Sequence, residues 1–297
     1  MRLTVVGTVA FDTLAIVKEL AARETTGGVT DLHPDLPGGT AGNVAMALAR
    51  LGAPPRLLAC VGPDFAGSPP ERALADAGVD VNGLLRRPTP TSRAYIFVEP
   101  GGPQVTYFYP GASRELAHAA PRVEGRAHFG AGEIGAYPAL MRQASWVSFD
   151  PGQEVFHRDL DEIVACLPLV DLLFLNRHER DVLETKAGYT LERLLAEGPE
   201  AVVESRGADG TLVHTAQGRF AAPAAPATPR DPTGAGDAHR AGYLFATLRG
   251  AGPSVAARFA NVLGAFAVEG LGAQSGHPTL AEALERYEKA YGEKAGF

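Results

Sequence analysis

Asp231-Pro232-Thr233-Gly234-Ala235-Gly236-Asp237 is the stretch around which the rest of the chain can be read. It runs directly into Gly236–Leu248, where apolar residues at 241, 244, 245 and 248 mark one face of a helix and Gly250 marks its stop. Small residues at the mouth of a helix let backbone N–H groups crowd around an anion. The dipole of the helix N-terminus favours negative charge at the same place. Asp237 alone has two readings, a capping carboxylate or a chemical group, and an isolated Gly-x-Gly-Asp is usually a capped turn. The full seven-residue string is far more specific.

Working outward, the same turn-into-helix pattern recurs. Gly38-Gly39-Thr40-Ala41-Gly42-Asn43 opens a helix over Ala41–Leu51, with Val44, Ala47, Leu48 and Leu51 on one face and Gly52 as its stop. Asn43 there offers both donors and an acceptor, which suits a hydroxyl-rich ligand. Strands are expected at Leu3–Val9, Leu57–Val61, Trp146–Asp150, Leu172–Asn176 and Ala201–Ser205. Helices are expected at Ser68–Ala77, Val255–Val268 and Thr279–Ala290. Strands alternating with helices predict an α/β fold whose mostly parallel sheet is covered on both faces. Ligands collect beyond the carboxyl ends of such strands.

Two stretches break the alternation. Residues about 14–37 carry little helical pattern. Residues about 91–110 read as a hairpin, Arg93–Val98 and Gln104–Tyr109, joined by Glu99-Pro100-Gly101-Gly102-Pro103. Together they are read as a small β lid on one domain spanning 1–297, with an ordinary edge hairpin as the alternative. Tyr95, Phe97, Tyr107 and Tyr109 recur at period two. That face could pack a flat nucleobase, or it could hold the lid, or a lid–lid homodimer, together.

Composition narrows the classes. The chain has 297 residues, 45% of them hydrophobic, and a formal net charge of −7. With no Lys/Arg-rich run, a nucleic-acid partner is not expected. No apolar run approaches the ~18 residues of a membrane span. Met1–Gly7 reads as a strand rather than a signal peptide, so a cytoplasmic protein is expected. The two cysteines, Cys60 and Cys166, lie in apolar stretches and read as buried thiols.

Two further motifs follow predicted strands. Asp12 ends Gly7-Thr8-Val9-Ala10-Phe11-Asp12 and is either a cap or a carboxylate able to accept from two vicinal hydroxyls. Asn176-Arg177-His178-Glu179 is either a capping box or, through Glu179, a group orienting water around Mg²⁺. The phosphate loop Gly-x4-Gly-Lys-Ser/Thr and the Gly-x-Ser-x-Gly elbow are absent. Position 239 is His, so the Gly234 segment does not complete a dinucleotide fingerprint.

With these residues in place, the chain resembles the ribokinase-like (PfkB-type) family of carbohydrate and nucleoside kinases. The first family signature is matched by Gly38 through Ala45 and on to Leu51-Gly52, and the second by Asp231 through Gly242. The family's Asn-x-x-Glu is matched by Asn176 and Glu179, and its glycine-bearing strand end by Ser205-Arg206-Gly207-Ala208-Asp209-Gly210. The resemblance implies a three-layer α/β/α fold with a β lid, and transfer of the ATP γ-phosphoryl group to a hydroxyl. It implies Asp237 as base and Gly234, Ala235 and Gly236 as anion hole. Asp12, Gly38, Gly39 and Asn43 would hold the acceptor. Asn176, Ser205, Gly207, Gly210, Thr233 and Asn261 would line the ATP site. Glu179 would act on Mg²⁺ through water, and Asp231 would neighbour a monovalent-cation (K⁺) site where one exists.

Several local strings resemble the adenosine-kinase-like nucleoside kinases: Gly7–Thr13, Thr106–Ala112, Phe149-Asp150-Pro151-Gly152-Gln153, Arg240-Ala241-Gly242 and Val268–Gln274. Ala273 and His239 depart from the usual residues there. A nucleoside acceptor, phosphorylated on its 5′-hydroxyl, is the first expectation and a monosaccharide the second. A binding protein without turnover is the third.

Overall fold

The computed structural model describes residues 2–100 and 103–297, so Gly101 and Gly102 of the hairpin link lie outside the described residues. The chain begins with β1 (Thr4–Val6), β2 (Ala10–Val17), β3 (Val29–Gly38), α1 (Thr40–Arg50) and β4 (Arg56–Val61). It continues through α2 (Pro69–Asp76), β5 (Leu84–Arg86), β6 (Ser92–Val98), β7 (Gln104–Tyr109), α3 (Leu116–Ala119) and β8 (Arg126–Phe129). Next come α4 (Tyr137–Met141), β9 (Trp146–Phe149), α5 (Glu154–His157), α6 (Leu160–Val164), β10 (Leu172–Asn176), α7 (Arg177–Ala187) and α8 (Leu191–Glu197). The last part holds β11 (Ala201–Ser205), β12 (Thr211–Thr215), β13 (Gly218–Ala222), α9 (Ala235–Thr247), α10 (Pro253–Glu269) and α11 (Leu280–Tyr291).

Nine strands form the large sheet, in the order β13-β12-β11-β10-β9-β8-β1-β4-β5. Its pairs are parallel from β11 across to β5, and antiparallel only at β11–β12 and β12–β13. Side-chain alternation divides its buried residues between two layers. Val5, Leu57, Ala59, Val61, Leu172 and Phe174 pack against α1, α9, α10 and α11. Val6, Leu58, Cys60, Leu173 and Leu175 pack on the opposite side, among residues of the α3 to α8 segments. Strands buried on both faces are apolar throughout rather than alternating, which is why the sequence pattern for this sheet is so plain. No helix is long and apolar enough to cross a membrane, among the described residues.

A second sheet, ordered β3-β2-β6-β7, stands over the carboxyl ends of the large one. It starts earlier than the expected position 14. The apolar run read as one strand, Leu3–Val9, is cut at Gly7; the chain leaves the core sheet after Val6 and enters the small sheet at Ala10. Both segments are buried, so nothing in their hydropathy marks the crossing. Of the two readings of the lid aromatics, a wall for a base is not met. Ala94, Ile96, Gln104, Thr106 and Phe108 face the core, whereas Tyr95, Tyr107 and Tyr109 lie on the outside with exposures of 41%, 65% and 44%. Side chains alternate strictly along a strand, so the aromatic row is the outer surface and not the wall for a base.

Candidate active site

Two cavities open at the carboxyl ends of the strands and meet at the first turn of α9. One, of about 490 Å³, is lined by Ser205, Gly207, Gly210, the connector around Ala224–Pro229, and Asn261, Gly264 and Val268 of α10. It reaches α9 at Ala235 and Gly236. The other, of about 220 Å³, lies between the two sheets and is lined by Asp12, Gly39, Asn43, Ile96, Thr106, Phe108 and Gln153. It reaches the same turn at Thr233, Gly234 and Asp237.

Gly234 caps this helix in the left-handed region, φ 75°, and a Cβ there would come within 2.7 Å of Ala273. Only glycine suits both demands. The N–H groups of Gly234, Gly236 and Asp237 have no acceptor among the described residues, whereas the N–H of Ala235 donates to the Pro232 carbonyl at 3.2 Å. The free donors are therefore those of 234, 236 and 237, and Ala235, expected among them, is already bonded.

Asp237 Oδ2 accepts from Asn43 Nδ2 at 2.7 Å, and Asn43 Oδ1 accepts from Gln274 Nε2 at 3.0 Å. Asn43 is thus engaged with the candidate base and with Gln274 rather than free for a ligand. The Asp12 carboxyl has no hydrogen-bond partner among the described residues, and it is buried on β2 facing the smaller cavity. Gly38 makes this possible: a Cβ there would sit 2.1 Å from Asp12 Oδ1.

Burial, before any other cause, pushes Asp237 up to about 7; the Asn43 hydrogen bond and Arg240 pull it down, and Asp150 pushes it further up. Asp12 is also raised to about 7, first by burial and then by the charge of Asp237. A carboxylate whose folded pKa lies above its unfolded value loses stability for the fold as pH rises through the folded value. Asp12→Asn is therefore expected to raise the melting temperature by several degrees at about pH 8, with a much smaller gain at about pH 4.5. Thermal melts at both pH values check this, and an equal gain at both would contradict it.

Behind the turn, Arg240 of α9 is buried against Asp150, which leaves β9. Glu179 is buried beside them. It is raised by burial and by Asp150, with Arg240 opposing. Asn176 and Glu179 form the full capping box of α7: Asn176 Oδ1 accepts from the Glu179 N–H at 2.9 Å, and Glu179 Oε2 accepts from the Asn176 N–H at 2.7 Å. Neither lines the two cavities.

Other expected site residues divide as follows. Ser205, Gly207 and Gly210 line the larger cavity. Asn261 lines it too, but its side chain is bonded to Thr211 and to the Ala222 and Pro223 carbonyls, so it braces the wall. Thr233 lines the smaller cavity instead, and its hydroxyl is buried without a partner. Asp231 joins two loops, accepting from Thr233 N–H at 2.9 Å and Gly272 N–H at 2.7 Å. No cluster of three or more His, Cys, Asp or Glu is placed to hold a metal ion by itself, among the described residues.

Sequence reasoning gave no role to Asp150, Arg240, Gln274 or Gln153. An aspartate just past a strand was already a signal at Asp12, and Asp150 repeats it at β9.

A family model described as pfkB family carbohydrate kinase matches residues 2–280. A nucleoside kinase of Methanothermobacter thermautotrophicus is 31% identical over 304 residues, covering 98% of this chain and 96% of that protein. The crystal structure of the Methanocaldococcus jannaschii nucleoside kinase superposes with a TM-score of 0.89 at 27% identity, covering 97% of this chain and 99% of that one. The Burkholderia thailandensis nucleoside kinase in complex with inosine gives 0.89 at 26% identity, covering 98% of both chains.

Proposed function

The chain belongs to the pfkB family of carbohydrate kinases and is an ATP-dependent phosphotransferase acting on a hydroxyl; on that footing we propose that it phosphorylates the 5′-hydroxyl of a nucleoside, with Asp237 as the base. The observation that carries the reading is the meeting of the two cavities at residues 233–237. ATP occupies the larger cavity and the acceptor the smaller one. Asp12 accepts hydrogen bonds from a vicinal diol and so turns the remaining primary hydroxyl towards Asp237. Asp237 takes the proton as the acceptor oxygen bonds to the γ-phosphorus and the bond to the β–γ bridging oxygen breaks, releasing ADP.

Phosphoryl transfer is largely positioning and charge stabilisation. The free N–H groups of 234, 236 and 237 face the charge that spreads over the phosphoryl oxygens. Mg²⁺, when bound with the polyphosphate, would neutralise part of that charge; Glu179, which lines neither cavity and has both carboxylate oxygens bonded to Asn176, would reach its water shell only by releasing that cap. The small sheet excludes water that would otherwise compete for the phosphoryl group.

The nucleoside reading draws on the end-to-end similarity to nucleoside kinases. It also draws on the core-facing side of the lid, where Ile96 and Phe108 offer apolar surface to a base and Gln104, Thr106 and Gln153 offer polar groups to its edge. A monosaccharide is the second reading, favoured by the modest 220 Å³ of the smaller cavity. An ADP-release screen with Mg-ATP over adenosine, inosine, guanosine, cytidine, ribose and fructose separates the two. Turnover with nucleosides and little with free sugars is expected. Turnover with sugars alone would replace the acceptor, and ADP release with none of them would leave a binding protein.

The outer face of the lid supports a second copy of the chain as partner. Seven of the nine exposed large hydrophobic side chains among the described residues lie on β3, β6 and β7: Val29, Leu32, Tyr95, Val105, Tyr107, Phe108 and Tyr109. Phe108 faces inward, and the other six give a lid–lid homodimer an apolar seam. Tyr107→Asp, at the most exposed of these positions, is expected to shift the protein from dimer to monomer in sedimentation velocity. A wild type that sediments as a monomer would refute the dimer.

A further inference from the structure

Arg240 is the only arginine or lysine that is buried among the described residues, at 5% exposure. It lies one helical turn beyond Gly236. Its Nη2 donates to Asp150 Oδ1 at 3.2 Å, and its Nε lies 2.8 Å from Asp150 Oδ2 as an ion-pair contact outside hydrogen-bond geometry. Asp150 is held in turn by the Gly152 N–H, which donates to Oδ1 at 3.2 Å. Nη2 is also 3.9 Å from Glu179 Oε2. The guanidinium thus ties the carboxyl ends of β9 and β10 to α9. On its other side it touches the helix mouth: a Cβ built on Gly236 would come within 2.8 Å of Arg240 Nη1. Glycine at 236 therefore serves the packing of Arg240 behind the turn as well as the approach of a ligand in front of it.

A buried ion pair is a poor device for stability, because desolvation offsets much of the attraction. Its geometry here has a more specific use. Gly236 carries one of the free N–H donors, and Asp237 follows it in the chain. Misplacing such a turn by about 1 Å costs on the order of 10²-fold in rate. Asp12 and Asp237 line the cavity between the sheets, and Asp150 and Glu179 are buried behind the turn, so four carboxylates surround the one buried guanidinium.

We propose that Arg240 is a positioning residue for phosphoryl transfer: paired to Asp150 behind Gly236, it fixes the first turn of α9 and supplies the buried positive charge around which the site's carboxylates are arranged. This rests on the kinase reading above, and it acts through Gly236 and Asp237 rather than by touching substrate. The groups facing Asp237 are Asn43 from α1, Asp12 from β2, Asp150 beyond β9 and Arg240 on its own helix. Glu179 from α7 lies beyond Arg240.

The test uses the full chain, Mg-ATP and the best acceptor from the screen, with Arg240→Gln, Asp150→Asn and the double variant. Arg240→Gln is expected to lower kcat about 10²-fold while KM for ATP stays within about threefold. It should move the acid limb of the kcat/KM profile upward by about one pH unit, and Asp150→Asn alone should move it downward. The double variant should return the limb close to that of the wild type. Arg240→Lys keeps the charge and loses the fork, so it should keep the limb and not the rate; it carries the test should Arg240→Gln fail to fold. A folded Arg240→Gln with near wild-type kcat, or an unmoved limb across the set, overturns the proposal. Wild-type turnover in the same assays secures the kinase reading independently.

Discussion

Asp237→Asn is expected to reduce kcat by about 10²–10⁴-fold, the usual contribution of a positioned general base, while ATP binding stays close to that of the wild type. The separation follows from where the side chain lies. Asp237 lines the cavity between the sheets, whereas the larger cavity is bounded by Ala235, Gly236 and the segments at 205–210 and 261–268. The asparagine keeps the volume and the helix turn but has no site for the incoming proton. With burial holding the base near 7, the wild-type kcat/KM should also fall below about that pH as the base becomes protonated. Steady-state kinetics with calorimetric ATP titration decide the matter. A variant retaining more than about a tenth of wild-type kcat would remove Asp237 from the role.

Asp12→Ala is expected to act on KM for the acceptor, and it is the second large effect. Each hydrogen bond to an ionised carboxylate contributes about 1.5–3 kcal/mol. Losing two to a diol should raise KM by about 10²-fold or more, with a smaller change in kcat. Alanine also opens the space beside Gly38, so the lid strands keep their register and the loss reports on binding. A 2′-deoxy or 3′-deoxy acceptor should feel the substitution less than the parent compound, because one of the two contacts is already missing. Unchanged KM across these acceptors would refute the diol clamp.

The glycine turns, the alternation of strands and helices, and Asp237 were all legible in the chain because each depends on local backbone chemistry. Gly234 needs a left-handed conformation, Gly38 needs an absent Cβ, and buried strands need apolar text. What was hidden depends on packing between distant segments. Asp150 and Arg240 are 90 positions apart, and neither looks unusual beside its own neighbours. Asn43 reads as a ligand group because its side chain can bond in several ways, and Asn261 is placed at the ATP site only by the family resemblance; the structure uses their side chains on Asp237, Gln274, Thr211 and backbone carbonyls. The lid aromatics left two readings open, a wall for a base or an outer seam, since period two identifies a face without saying which one is covered; their exposure removes the first. The start of the lid was hidden because β1 and β2 are separated by only Gly7, Thr8 and Val9, all buried.

That short passage from β1 to β2 bears on turnover. Asp12 travels with the small sheet, while Asp237 stays with the large one. On the proposed assignment, a displacement that opened the lid would also withdraw the acceptor from its base, so that uncovering the site and disengaging the reactants would be one movement. ATP bound with the lid displaced would then meet water but no aligned nucleophile. On the proposed assignment the lid would thus be a commitment step, with the phosphoryl group and its acceptor aligned only while the two sheets stand together.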